Sequence, residues 1–321
     1  MFPPACALPV IDIRNSYSGD ASERHAVAKA MRAACLDKGF FYITGHGMDD
    51  SLISDILAQA QLFFSLPEPA KRLVDKKLSI ANRGYEPLGG QRLEQGAHAD
   101  SKESFYIGRD LALSHPQVLA GRFNHGPNVW PAGLARFRPV AERYFTAMDA
   151  LARTLIRAIA IALGLHEGYF DRFCLEPIAT LRLLHYPPQP PDADAATRGA
   201  GAHTDFGCIT ILLQDVNSGL QVFDRRSNTW ITAAPIPGTF VVNLGDLIER
   251  WTNGRFSSTR HRVINTSGRE RHSVAFFYSG NPDYTIECLP TCLEADEIPR
   301  YPTTTVEEHL RDCYRTTYRG T

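Results

Sequence analysis

His203-Thr204-Asp205, followed far downstream by His261 and then by Arg271-His272-Ser273, is the set of residues in this chain best equipped for chemistry. Two imidazoles and one carboxylate make the facial ligand set that holds non-haem Fe(II) and leaves coordination positions open. With three protein ligands in place, a 2-oxo acid can chelate the metal through two positions and dioxygen can take a third. The far carboxylate of such an acid needs a buried cation. Arginine offers a planar fork of donors and stays charged, and an arginine and a serine two residues apart suit a carboxylate. Tyr186 can add one more hydrogen bond.

These side chains need a scaffold that brings them together. Side chains at i and i+2 of a strand share a face. The run His203 to Gln214 passes from a Gly-rich loop into a strand-like apolar stretch, so His203 and Asp205 can converge on one metal from a strand end. His261, in the strand-like Thr259 to Ile264, can arrive from a facing strand of a small barrel or sandwich. The same period turns Arg271 and Ser273 inward and His272 away. A lone His-x-Asp or Arg-x-Ser carries little information. The order carries more: His-x-Asp opening a strand, a second His after further strands, then Arg-x-Ser opening another.

The rest of the chain supplies elements for that scaffold. Asp20 to Glu23 forms a capping box opening a helix whose Val27, Met31, Ala34 and Cys35 share a face, with Gly39 at its end. A strand over Phe40 to Thr44 follows, then a helix from Asp50 to Leu66. Residues 75–130 lack periodicity and read as long loops with short strands over a pocket mouth. A long helix is predicted from Gly133 to Leu163, with Tyr144, Met148, Leu151 and Leu155 at helical spacing to buttress a sheet. From Ile178 to Ser279, short strands alternate with turns such as NSG, PIPG and WTNG, an antiparallel layout. Val306 to Tyr318 reads as a final helix. The predicted class is mainly β with flanking helices, a double-stranded β-helix (jelly roll). The expected organisation is one compact unit: an N-terminal region (1–130), a buttressing helix (131–175), the β core (176–285) and a C-terminal extension (286–321).

Several of these segments resemble the isopenicillin N synthase-like branch of the Fe(II)/2-oxoglutarate-dependent oxygenases. LPVIDI (Leu8 to Ile13) and GFFYITGHG (Gly39 to Gly47) resemble its opening strands, and FFSLPEPAKR (Phe63 to Arg72) its Pro-linked helices. NRGYEPLG (Asn82 to Gly89) and DSKESFYIG (Asp100 to Gly108) resemble the loop beside its substrate pocket. LRLLHYPPQP (Leu181 to Pro190) is similar to the strand before the first ligand, and Asn243 to Val263 to the turn and hairpin that deliver the last. The resemblance implies Fe(II) held by His203, Asp205 and His261, and 2-oxoglutarate held by Arg271, Ser273 and Tyr186. Where plant members usually carry Asn two residues before that Tyr, this chain has Leu184, so one cosubstrate contact is absent. The implied reaction is hydroxylation of an unactivated C–H bond of a small molecule, or its desaturation or cyclisation. Dioxygen is consumed, succinate and CO2 are released, and ascorbate is an optional reductant.

Other assignments are softer. Arg182 shares a strand face with Tyr186 and is a candidate to meet a polar or anionic substrate, or else an ion-pair partner within the sheet. Phe105, Phe206, Phe277 and Trp230 are candidates for an apolar pocket wall. Residues 80–110 and 182–192 are expected to line the entrance. Asn243 and Asp246 can orient the site, although a turn of that composition is more simply read as satisfying its own backbone. His46 and His185 read as structural because neither fits the order of the ligands.

Composition sets the remaining bounds. The chain has 321 residues, 44% hydrophobic and 21% charged, with a net charge of −1, which is ordinary for a soluble domain. No basic run points to nucleic acid, no apolar run is long enough for a membrane span, and the opening residues lack a secretory pattern. Seven scattered cysteines suit free thiols in a reducing cytoplasm. Cys288 and Cys292 are spaced for a metal pair or disulfide, but no second pair accompanies them. Three other readings stay open: an iron oxidase of the same family that does not use 2-oxoglutarate, a zinc hydrolase on the same ligands, and a non-catalytic binding module.

Overall fold

In the computed structural model, residues 8–94, 98–189, 197–265 and 267–318 are described. Of the expected entrance segments, residues 95–97 and 190–192 lie outside the described residues. The N-terminal region contributes β1 (Val10–Asp12), α1 (Ala21–Asp37), β2 (Phe40–Thr44), α2 (Asp50–Phe64), α3 (Glu68–Arg72), β3 (Gly84–Glu86) and β4 (Glu103–Gly108). After the short α4 (Pro116–Leu119) comes the long α5 (Phe137–Ala162). The β-rich part holds β5 (Ile178–Tyr186), β6 (Ala200–His203), β7 (Ile209–Gln214), β8 (Leu220–Asp224), β9 (Thr229–Thr232), β10 (Phe240–Leu244), α6 (Asp246–Trp251), β11 (His261–Val263) and β12 (Arg271–Gly280). A small ribbon of β13 (Thr285–Ile286) and β14 (Thr304–Thr305) leads into α7 (Val306–Tyr318).

Two sheets face each other. The major sheet has the order β1-β2-β10-β7-β12-β5-β4-β3, and the minor sheet β6-β11-β8-β9. This is the expected jelly roll, with strands of the N-terminal region extending both edges of the major sheet. Strand alternation divides the interior in two. Leu181 and Leu183 of β5 point to the layer formed with α1, α2 and α5, where Met31, Ile56, Tyr144 and Leu155 are fully buried. Leu184 and Tyr186 point the other way, into the space between the sheets, with Val222 and Val263 opposite.

Local chemistry explains where the elements differ from expectation. Asp20 accepts from Ser22 N at 2.8 Å, but its own N–H goes to Ser18 Oγ rather than to Glu23, so only half of the capping box is used. Leu66, restricted by Pro67, lies outside α2, which ends at Phe64. Helix α5 begins at Phe137 rather than Gly133, because Gly133 sits at φ +85° and Pro139 fits only in a first turn that needs no N–H. Strand β4 is no loop fragment: it is buried along its whole length between β5 and β3. Burial on both faces removes the alternation that marks a strand in sequence.

Candidate active site

His203 ends β6 and His261 begins β11, directly opposite each other in the minor sheet. Asp205 lies in the loop that returns the chain to the major sheet. Its Oδ1 is 3.7 Å from Nε2 of each histidine. The ring N on the far side of each imidazole faces a carbonyl: His203 Nδ1 is 2.7 Å from Gly201 O, and His261 Nδ1 is 3.1 Å from Thr259 O. A carbonyl only accepts, so the proton sits on Nδ1 and the Nε2 lone pairs face the shared space. The second carboxylate oxygen of Asp205 accepts from Thr210 Oγ1 at 2.6 Å and Asn243 Nδ2 at 2.7 Å. Burial, and then the neighbouring His261, hold His203 well below the usual imidazole range, so it is neutral. Burial works to raise the Asp205 carboxyl, yet it stays below the usual carboxylate range, supported by the hydrogen bonds from Asn243 and Thr210.

The Asp205 loop is fixed by the turn that begins α6. Asp246 N donates to Asp205 O at 2.8 Å, and Gly245 N to Cys208 O at 2.9 Å. A Cβ on Gly245 would lie 2.3 Å from Gly207 O and 2.8 Å from Asp205 O, so no other residue fits this approach.

Deeper between the sheets lies Arg271, fully buried on β12. Its strand neighbour across the ladder is Tyr186, whose ring lies 4.9 Å from the guanidinium, and Ser273 is two residues along the same face. Arg271 donates to Gln214 Oε1 at 3.0 Å and to Ser273 Oγ at 3.4 Å, while its Nε has no partner. Among the described residues no carboxylate pairs with this guanidinium. A buried cation left without a counter-ion is unfavourable, and an anionic ligand resolves it. The cavity between Arg271 and the three ligands is also lined by Leu184, Leu220, Val263 and Phe277. Its apolar walls with polar ends suit a short dicarboxylate.

Residues 177–280 match the 2OG-Fe(II) oxygenase superfamily, and residues 8–133 match the N-terminal region of the non-haem dioxygenase in morphine synthesis. A 2-oxoglutarate-Fe(II) type oxidoreductase (hxnY) of Emericella nidulans is 45% identical over 97% of this chain and 90% of its own. The chain belongs to the 2OG-Fe(II) oxygenase superfamily. A 2-oxoglutarate-dependent dioxygenase (citB) of Monascus ruber is 40% identical over 97% of this chain and 95% of its own. A full-length Neurospora crassa protein, solved in complex with alpha-KG, superposes with a TM-score of 0.86 at 32% identity, covering 97% of this chain and 96% of that one. This oxygenase is thus an Fe(II)- and 2-oxoglutarate-dependent dioxygenase that oxidises a small molecule. The residues described above fit that chemistry: an N,N,O donor set suited to ferrous iron beside a buried, uncompensated guanidinium.

Beyond the ligands, a second cavity of about 90 Å³ opens toward α7. Phe206, Phe277 and Arg182 are among the residues that line it. Arg182, besides lining this cavity, is an ion-pair partner within the sheet, donating to Glu86 at 2.9 Å and to Gln91 at 3.1 Å. Phe105 is placed differently. It is fully buried on the helix side, packed on Phe63 and Phe137. Its cross-strand partner is Leu183, and the next residue, Tyr106, pairs with Arg182 and faces the cavity. Trp230 lies on the outer face of β9, with Arg262 over its ring at 4.0 Å. Asn243 holds Asp205 rather than only its own turn, contrary to the simpler reading of that segment.

Other residues that the sequence did not single out individually lie at the edges of these cavities. Lys102 and Asp100 form a buried ion pair at the cavity edge, and burial pulls the Lys102 amine down to about 8. Asp100 also accepts from Gly201 N at 3.0 Å, next to the His203 strand end. Tyr314 and Leu310 of α7 close the outer cavity together with Asn124 and Gln91. Six cysteines, including Cys288 and Cys292, are free thiols among the described residues, and no described helix is long and apolar enough to cross a membrane.

Proposed function

We propose that His203, Asp205 and His261 hold the ferrous ion through Nε2, a carboxylate oxygen and Nε2, and that Arg271, Ser273 and Tyr186 hold the distal carboxylate of 2-oxoglutarate. The observation that carries this is the fully buried Arg271, with an unpartnered Nε, on the wall of the same cavity as the three ligand atoms. Bound iron with 2-oxoglutarate supplies the oxidising power for breaking a C–H bond. The chain does the rest. Thr210 and Asn243 hold Asp205 ionised and aimed, and the Gly201 and Thr259 carbonyls set the imidazole tautomers. Leu184, Leu220 and Val263 exclude water around the cosubstrate chain.

The substrate occupies the cavity under α7. Phe206 and Phe277 supply flat apolar walls, and Arg182, Gln91, Asn124 and Tyr106 supply polar groups. That combination favours a small, planar, polar molecule. The Neurospora crassa protein, whose structure is also known with thymine bound, supports a substrate of that size. The match of residues 8–133 supports placement in the isopenicillin N synthase-like branch, and the free thiols support a reducing, cytoplasmic setting. A screen of small planar compounds with Fe(II), ascorbate and 2-oxoglutarate, scored by CO2 and succinate release above the uncoupled background, tests the reading. A compound-dependent rise that Arg271→Ala abolishes at low 2-oxoglutarate supports it. A rise that Arg271→Ala leaves untouched refutes the assignment of the cosubstrate anchor.

A further inference from the structure

We propose that this chain binds a second divalent transition-metal ion, of the Zn2+ class, through His185, His272 and Glu270 on the helix-side face of the major sheet. This face is opposite to the iron site, and the inference does not depend on the assignment of the iron ligands. One ligand atom from each of the three residues lies within 4.8 Å of the others. His185 and His272 sit directly across from each other on β5 and β12, their rings stacked at 4.7 Å with an interplanar angle of 16°.

The surroundings of His185 point to a ligand. Its Nδ1 is 2.7 Å from Glu103 Oε1. Glu103 is itself fixed by Lys71 at 2.6 Å and the Tyr85 hydroxyl at 2.6 Å. A carboxylate on the far nitrogen is the arrangement that orients imidazoles for metals and raises their basicity. The proton therefore sits on Nδ1, and the Nε2 lone pair points away from Glu103. That Nε2 is buried and has no hydrogen-bond partner, in a residue only 8% exposed. On the Nε2 side stands Glu270, its Oε2 3.4 Å away, an exposed carboxylate free to approach an ion.

His272 is equally suited. Burial holds it below the usual imidazole range, so it offers a neutral ring. Its Nδ1 is 3.9 Å from Asp215 Oδ2. Two stacked rings at this distance cannot both carry a proton charge without repulsion, whereas one cation at the edge of the stacked pair, held by a ring nitrogen of each and by Glu270, relieves it. Imidazole and carboxylate together suit zinc and its first-row neighbours. The three residues line a groove of about 950 Å³ between α2 and residues 235–239, which gives an ion an entry path and leaves room for water in its open positions.

The test is calorimetric titration of the full-length, metal-stripped chain with Zn2+. The wild-type chain is expected to take up two equivalents, one of them at the iron site. Glu270→Gln, a change at an exposed position that leaves the fold alone, is expected to weaken one equivalent by roughly tenfold or more. His272→Gln is expected to remove it. Uptake of a single equivalent that neither substitution weakens would overturn the proposal and leave His185 simply hydrogen-bonded to Glu103. So would two equivalents unaffected by either substitution, since the second ion would then sit elsewhere.

Discussion

Asn243→Ala isolates the support behind Asp205, one of the proposed iron ligands. Asp205 is 6% exposed, and the oxygen turned away from the histidines accepts hydrogen bonds from Thr210 at 2.6 Å and Asn243 at 2.7 Å. Both are short and made to an ionised group. Such bonds are worth about 1.5–3 kcal/mol each, and partners behind metal ligands contribute roughly 10- to 100-fold in affinity. Removing the Asn243 amide leaves the anion half-supported and free to rotate off the two Nε2 atoms. The Fe(II) dissociation constant, measured anaerobically, should therefore rise about 10- to 100-fold. Thr210→Val, nearly equal in shape, should fall in the same range. At saturating iron, the KM for 2-oxoglutarate should stay within about threefold, because Arg271, Ser273 and Tyr186 are untouched; threefold corresponds to only ~0.7 kcal/mol. If a folded Asn243→Ala protein binds iron within about twofold of wild type, the amide does not position Asp205 and the reasoning fails.

Three further outcomes follow from other contacts. Arg271→Ala should raise the KM for 2-oxoglutarate by about 2–5 kcal/mol of lost binding, roughly 30-fold or more, with far less change in iron affinity; parallel changes in both titrations would mean the guanidinium is misassigned. Glu86 is buried against Arg182 and Lys76 at 2.9 Å each. Burial pushes its carboxyl up, but these cations, Arg182 first, win and bring it down to about 2. A carboxyl depressed in the folded state stabilises the fold above the unfolded value and loses that contribution as pH falls toward about 2. Denaturant melts of metal-free protein between about pH 5 and about pH 3 should thus show wild type losing about 2 kcal/mol more than Glu86→Gln; equal slopes would refute the ion-pair account. Phe105→Ala should lower stability by about 3–5 kcal/mol, whereas Phe277→Ala should act mainly on substrate KM and Trp230→Ala on neither, as paired melting and kinetic measurements would reveal.

The contrast between Phe105 and Tyr106 shows what the chain discloses before folding. The His203, Asp205 and His261 grouping was legible from residue type and order, although His203 closes β6 and Asp205 sits in the loop beyond it rather than opening a strand; only Arg271-x-Ser273 owes its shared face to the strand period. β4 hides its register, since both its faces are buried and no polar residue reports which side meets the cavity. Asn243 was ambiguous for another reason. A polar residue beside a turn usually serves that turn, and only the packing of α6 against the Asp205 loop brings its amide within reach. Lys102 and Asp100 look like ordinary surface charges until tertiary structure closes over them. The role of α7 was only half visible: its apolar positions declared a packed helix, but not that Tyr314 and Leu310 would roof the outer cavity.

The division of labour between the two sheets has a mechanical consequence. Both histidines ride on the minor sheet, while the arginine anchor and its tyrosine ride on the major one. A diacid gripping metal at one end and guanidinium at the other is a rivet through the sandwich. Loading it should damp the breathing of the two layers, so amide exchange along β6 and β11 should slow when cosubstrate arrives and quicken when succinate, which has lost the chelating end, departs.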